Sequence, residues 1–256
     1  MTTLPVARLP TDWKSSADTL TDRVVLITGA YGGLGSMVAR AASRAGATVV
    51  ISGKRKRQLE GLYDAMREEG LPEPVIHPLD MEVATPREYS ALADGLERDF
   101  GRLDGIVHCA ASFVGLTPLS MHKPDDWLRA MHVNVNAPFA LTQACMPLLT
   151  RASDSAVIFV LDSPALVQRA HWGGYGVSKA ALECLTAILH QETDESTLRV
   201  HAMLPAPMRT ALRRLAYFGE DIMQRPTPDA AAEAAIYLLS AQAQAARGAV
   251  LDLRAD

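Results

Sequence analysis

The sequence predicts a doubly wound α/β fold, one parallel sheet of about seven strands with helices on both faces, and three observations carry that expectation. Short β-rich apolar runs alternate with longer segments of helical character along nearly the whole chain. Several runs are apolar at consecutive positions, as strands covered on both faces require. The alternation is strict, so successive strands are joined by right-handed crossovers.

Strands are expected at 24–28, 48–52, 74–79, 103–109, 156–161, 198–204 and 249–253. Helices are expected at 33–45, 55–69, 85–100, 125–149, 173–192 and 228–241. No repeat, low-complexity stretch or linker interrupts them, which makes residues 23–256 one domain behind an N-terminal extension, 1–22. The 256 residues are 48% hydrophobic and 21% charged, an ordinary balance for a soluble globular chain with a substantial core. A net charge of -4 gives no reason to expect nucleic acid as a partner. Cys109, Cys145 and Cys184 form no Cys-x-x-Cys pair and read as reduced core thiols, as in a cytoplasmic protein. His108, His122 and His132 show no metal-ligand grouping, so no metal is expected. No signal peptide is apparent and no apolar run approaches the roughly 20 residues that span a bilayer, so no membrane partner is expected either.

The first strand runs into Thr28-Gly29-Ala30-Tyr31-Gly32-Gly33-Leu34-Gly35, and a helix follows. Glycines there admit positive φ and let backbone amides approach a pyrophosphate, while the helix start adds free N–H donors and the positive end of its dipole. Position between a strand and a helix is what separates a dinucleotide-binding turn of a Rossmann fold from an ordinary tight turn. Gly29, Tyr31, Gly33, Leu34 and Gly35 are therefore cofactor-site candidates. At the end of the second strand, where an acidic side chain would hold a ribose 2′-hydroxyl, stand Gly53, Lys54 and Arg55. Cations at a helix N-terminus oppose its dipole, and a 2′-phosphate would account for them, with the Arg55 guanidinium suited to bidentate contact. NADP(H), in preference to NAD(H), is the cofactor this implies.

Tyr175 and Lys179 lie four apart at the start of a helical segment and so share a face. An ammonium beside a phenol stabilises the phenolate, which makes the tyrosine a usable proton donor or acceptor. With the Gly-rich turn in place, this pair makes the chain resemble the classical short-chain dehydrogenase/reductase family over essentially everything after residue 22. The resemblance rests on TGAYGGLG, Asp80 after the third strand, Asn134 in MHVNVNAPF, YGVSK and the late loop LPAPMRT. It implies hydride transfer between a nicotinamide and a ketone, aldehyde or secondary alcohol. Tyr175 would protonate the carbonyl oxygen, Lys179 would hold the nicotinamide ribose, and Asn134 would position a water of a proton relay. Asp80 with Met81 would meet the adenine, Ala110 would let the cofactor pass, and Pro205 and Thr210 would lie beside the nicotinamide or diphosphate. It further implies a homodimer or homotetramer joined through the two long helices, with Phe139, Leu141, Cys145, Leu185 and Ile188 as interface candidates. Those residues can equally be the ones that cover the sheet. Residues 211–226, with Arg213 and Arg214, correspond to the family's mobile lid. His171 and Trp172 are either pocket lining or an ordinary loop pair.

Three departures stand out. The family's Asn-Asn-Ala-Gly is His108-Cys109-Ala110-Ala111 here, and its Pro-Gly is Pro205-Ala206. The catalytic serine, thirteen positions ahead of the tyrosine, is Asp162, with Ser163 next to it. An ionised Asp162 would repel a developing oxyanion and raise the Tyr175 pKa. Three arrangements are open. Ser163 reaches the site through a one-residue shift, or Asp162 stays protonated and donates a hydrogen bond, or the chain binds cofactor as a sensor or interaction module without efficient turnover.

Overall fold

The structure, a computed structural model, describes residues 4–254. Strands β1 (Val6–Ala7), β2 (Val24–Thr28), β3 (Thr48–Gly53), β4 (Val75–Pro78), β5 (Gly105–His108), β6 (Ser155–Val160), β7 (Leu198–Leu204) and β8 (Val250–Asp252) form an all-parallel sheet. Its order is β1-β8-β7-β6-β5-β2-β3-β4, and the direction of winding reverses between β2 and β5. Alternate residues of each strand feed the two cores. In β2, Val25 and Ile27 face α1 (Gly33–Arg44), α2 (Lys56–Glu68) and α9 (Asp229–Leu239). Val24 and Leu26 face α3 (Pro86–Phe100), α5 (Ala137–Arg151) and α7 (Gly173–Glu192). Burial on both faces explains why these strands are apolar throughout.

Two expectations are corrected. Of the segment expected as an extension, residues 4–22 are part of the domain, because β1 is an eighth strand that pairs Val6 with Val250 and Ala7 with Leu251. Leu4 and Leu20 are buried, Trp13 packs edge-on against Tyr237, and Ser15 donates to Glu233 of α9 through both its amide and its hydroxyl. A strand over β8 covers main-chain groups that would otherwise form a bare sheet edge. The second correction concerns the helix expected at 125–149. It is α4 (Pro124–Met131), then a π-helical segment (His132–Asn136), then α5. Pro138 lacks the N–H that would return to the Asn134 carbonyl, so the α-ladder breaks there and the chain takes up an extra residue, with the Ala137 amide bonded to the His132 carbonyl.

Other ends follow local chemistry. Thr85 and Glu88 form a capping box at the start of α3, Pro86 occupies its first turn, and Gly101 ends it at a φ of 66°. Among the expected interface residues, Leu141 and Cys145 are fully buried against the sheet, so they belong to the core of the protomer. Phe139 and Ile188 are about half exposed on the outer surface. Among the described residues, no helix is long and apolar enough to cross a membrane, and no group of three or more His, Cys, Asp or Glu is placed to hold a metal ion.

Candidate active site

A cleft of about 360 Å³ runs over the carboxyl ends of the strands, where open α/β sheets bind ligands. One end is built by the β2–α1 turn. Gly29 has a φ of +60°, and a Cβ there would lie 2.7 Å from the Ala110 Cα, so only glycine lets the β2 and β5 loops close together. At Gly33 a Cβ would come within 3.2 Å of the Thr210 side chain, which leaves the opening amides of α1 bare towards the cleft. No side chain caps that helix, and no acidic residue occupies its first turn. At the end of β3, Tyr31 lies over Gly53, and Lys54 pairs with Glu82 while lining the cleft. Asp80 and Met81 line the same region, with Asp80 accepting from the Glu82 amide at 3.0 Å. The donor set, bare helix amides beside an ammonium, with no acidic residue ending β3 itself and Glu82 paired to Lys54, fits a dinucleotide carrying a 2′-phosphate.

The other end is built by β6 and α7. Tyr175 and Lys179 are 4% and 5% exposed and share one helix face. Lys179 Nζ donates to the Val160 carbonyl at 2.7 Å and lies 5.6 Å from the centre of the tyrosine ring. Tyr175 Oη donates to Asp162 Oδ2 at 2.9 Å, and the other oxygen of that carboxylate accepts from the Ser163 amide at 2.7 Å. Burial, and then the Asp162 charge and hydrogen bond, push the Tyr175 hydroxyl well above its ordinary pKa of 10. Burial pulls Lys179 down to about 8, against the opposing charge of Asp162. Trp172 and Tyr217 wall this end, and Phe113 packs behind them, centred 5.0 Å from Tyr175 and 5.4 Å from Trp172. The chemistry available is a nucleotide cradle at one end and, at the other, a phenol, an ammonium and a carboxylate under an apolar wall.

A profile of the short chain dehydrogenase family matches residues 23–217. The chain belongs to that family. It is 35% identical over 216 residues to the uncharacterized oxidoreductase YciK of Escherichia coli K12, which covers 84% of this chain and 85% of that one. Among solved structures, a protein of Pseudomonas syringae assigned as a short chain dehydrogenase superposes with a TM-score of 0.90 at 37% identity, over 96% of this chain and 99% of its own. Another, of Shigella flexneri 2a strain 301 and complexed with NADP, superposes with a TM-score of 0.88 at 33% identity, over 93% of this chain and 99% of its own.

Within this dehydrogenase frame the expected site residues converge on the cleft except for two, Arg55 and Asn134, and Ser163 lines it without engaging Tyr175. Arg55 is exposed and stands at the N-cap of α2, while its neighbour Lys54 faces the cleft, because adjacent residues at a strand end point to opposite sides. Asn134 does not line the cleft. It is buried, accepts from the Ser112 amide at 2.7 Å, and donates to the Ser112 carbonyl at 3.1 Å and to Ser178 Oγ at 2.9 Å. Those bonds tie the loop after β5 to α7 directly beneath Tyr175. Ser163 lines the cleft, but Asp162 is the residue that engages Tyr175. Arg254 Nη1 donates to Ser163 Oγ at 2.7 Å, and its remaining nitrogens bind Asp252.

His108, in place of the family's asparagine, is core. It stacks on Phe159 at 5.0 Å, pairs through Nε2 with Thr142 at 2.9 Å, and burial pulls its pKa down to about 3. Thr210 lines the cleft and caps α8 (Ala211–Ala216) by accepting from the Arg213 amide. Arg213 is paired with Glu220. Trp172 lines the cleft, while His171 is exposed at a φ of 77°. Arg254 and Ser112 are site residues that sequence reasoning missed, since neither lies in a motif.

Proposed function

We propose that the protein is an NADP(H)-dependent oxidoreductase that transfers a hydride between the nicotinamide and a small molecule, with ketones, aldehydes and secondary alcohols as the class that family membership suggests. The observation that carries the reading is the single cleft that joins bare α1 amides and Lys54 at one end to Tyr175 and Lys179 at the other. The Shigella flexneri relative complexed with NADP supports the choice of cofactor. Gly29, Tyr31, Gly33, Leu34 and Gly35 would hold the diphosphate, Asp80 and Met81 the adenine end, and Lys54 the 2′-phosphate once it exchanges Glu82 for the ligand. Glu82 keeps a second cation near it, Arg129 at 3.9 Å, so the exchange leaves no bare carboxylate. When bound, the nicotinamide supplies or takes the hydride. Lys179 orients the ribose with the donors not used on Val160, Ala110, Pro205 and Thr210 shape the passage, and Tyr175 handles the proton. Asn134 keeps the floor rigid by binding Ser112 and Ser178.

Titration with NADPH and NADH, followed by fluorescence of the reduced nicotinamide, tests this reading. Wild type is expected to bind NADPH the more tightly. Lys54→Ala is expected to weaken NADPH by about tenfold and NADH little, an effect of about 1.4 kcal/mol. Equal affinity of wild type for both cofactors would discard the 2′-phosphate assignment. One observation favours a second reading, cofactor binding without efficient turnover: the Tyr175 proton is directed at Asp162. Tight NADPH binding with no substrate reduced at any pH would establish it.

A further inference from the structure

We infer that the hydride acceptor reduced at Tyr175 is a carbon–nitrogen double bond carried as its protonated iminium, not a neutral ketone; the inference rests on the NADP(H) oxidoreductase reading above. A ketone becomes an alkoxide as hydride adds, so its oxygen needs proton donors around it. This site offers it acceptors. The Tyr175 hydroxyl directs its proton at Asp162, leaving phenol lone pairs towards the cleft, and the Asp162 carboxylate lines the cleft beside it. Ser163 Oγ accepts from Arg254 Nη1 at 2.7 Å and is not bonded to Tyr175, so the serine does not stand where the Tyr175 hydroxyl meets the carboxylate.

The neighbouring cations do not reverse this. Lys179 and Arg254 feel the Asp162 charge through space, but neither is bonded to it: Lys179 is anchored on the Val160 carbonyl and Arg254 on Asp252. Cys109, the other titratable neighbour of Lys179, has its thiol pushed up to about 12 by burial, so it adds no charge. The reacting centre is therefore an acceptor pair, the Tyr175 oxygen and the Asp162 carboxylate, beside the apolar side chains of Leu166, Trp172 and Tyr217. A cation with an N–H fits it: the N–H donates to Tyr175 Oη, whose own proton is directed at Asp162, and the positive charge lies beside the carboxylate. The imine nitrogen takes a proton from solvent before reaction. Hydride from NADPH then adds to the carbon, the π pair of the C=N bond withdraws onto nitrogen, and the products are an amine and NADP+. Charge at the reacting atom falls during the step, so Asp162 acts by gathering and holding the protonated acceptor, and by keeping Tyr175 from competing for its proton.

The test uses the full chain with NADPH and two bicyclic acceptors of the same shape, dihydroisoquinoline and α-tetralone, followed by loss of reduced nicotinamide absorbance. Tetrahydroisoquinolinium and the corresponding neutral alcohol are titrated in parallel against the protein with NADP+, which reads recognition without turnover. Wild type is expected to favour the imine in kcat/KM, and the ammonium in affinity, by about tenfold or more. Asp162→Ser is expected to lower both ratios by about tenfold and to raise ketone reduction; Asp162→Asn, which keeps the shape, is expected to lower the affinity ratio as far. A wild type that reduces the ketone faster overturns the inference, and so does Asp162→Ser leaving both ratios unchanged. If NADPH binds but neither acceptor reacts and the ammonium binds no better than the alcohol, the inference is also overturned. Failure to bind NADPH at all overturns instead the cofactor reading on which it rests.

Discussion

At the amino ends of the strands, Arg199 is fully buried, with one side of its guanidinium on Asp154 and the other on the last carbonyls of α9, Leu238 and Leu239. Arg23 binds the same carboxylate and the same helix end. At the carboxyl ends of the same sheet, Asp162 holds a phenol and one amide, and no guanidinium or ammonium is bonded to it. Both are partly buried carboxylates, but Asp154 is bonded to two guanidiniums, whereas Lys179 and Arg254 act on Asp162 only through space. Burial alone would raise the Asp154 pKa, but the guanidiniums of Arg199 and Arg23 outweigh it and hold the carboxyl below its usual range. Around Asp162, burial and then the carboxylate's charge and hydrogen bond drive Tyr175 up, whereas burial pulls Lys179 down to about 8 and Asp162 opposes that fall. Charge that closes the fold is fully paired with opposite charge and helix-end carbonyls. Charge that faces the cleft is left to act on whatever enters.

The sharpest break of this comparison is at the cleft end. Tyr175→Phe is expected to cut turnover by about 10²–10⁴-fold while NADPH affinity and the thermal midpoint stay close to wild type. A comparable loss of stability would mean that the Tyr175–Asp162 contact is structural. At the other end the expectation reverses. Asp154→Ala strands two guanidiniums, one of them fully buried, and is expected to cost about 3–5 kcal/mol in urea unfolding, with the cofactor affinity of the folded protein unchanged. A cost below about 1 kcal/mol would place this cluster with ordinary surface pairs.

The smallest expected effect separates the two ends by pH. His201 sits beside Arg199, and burial, then that charge, pull its pKa from 6.5 down to about 3. The unfolded chain binds this proton first, so the contribution is complete above about pH 6.5 and is lost as pH falls towards 3, with a slope of about 1.4 kcal/mol per unit. His201→Asn should flatten stability in that window and leave the activity profile alone. Lys179 works in the opposite window: its ammonium is present below about pH 8 and lost above it, so kcat/KM should fall on the alkaline side with no matching fall in stability. One profile governing both properties would erase the distinction between the two ends.

What could be read beforehand was local. Glycine at residue 29 follows from the positive φ that the turn needs, and Tyr175 with Lys179 follows from the helix repeat. The serine position occupied by Asp162 was visible from spacing alone. The π-turn at His132–Asn136 was missed although Pro138 announces it, because apolar periodicity carries a helix straight across one missing N–H. Lys54 and Arg55 were treated as a pair, yet a strand end aims neighbours apart, and only the cleft shows which one faces in.

By itself the sequence determined the strand and helix order, the parallel sheet, the nucleotide turn and the Tyr–Lys face, since each depends on residues within a few positions of one another. Tertiary structure alone decided that Val6 and Ala7 complete the sheet as β1, that Asn134 braces the floor, and that Ser163 accepts from an arginine 91 positions away. Asp162 could have been met by a cation, a water or a tyrosine. Which of these it met depended on where the chain ends and loops converge over the strand termini, and that convergence is set by packing across the whole domain.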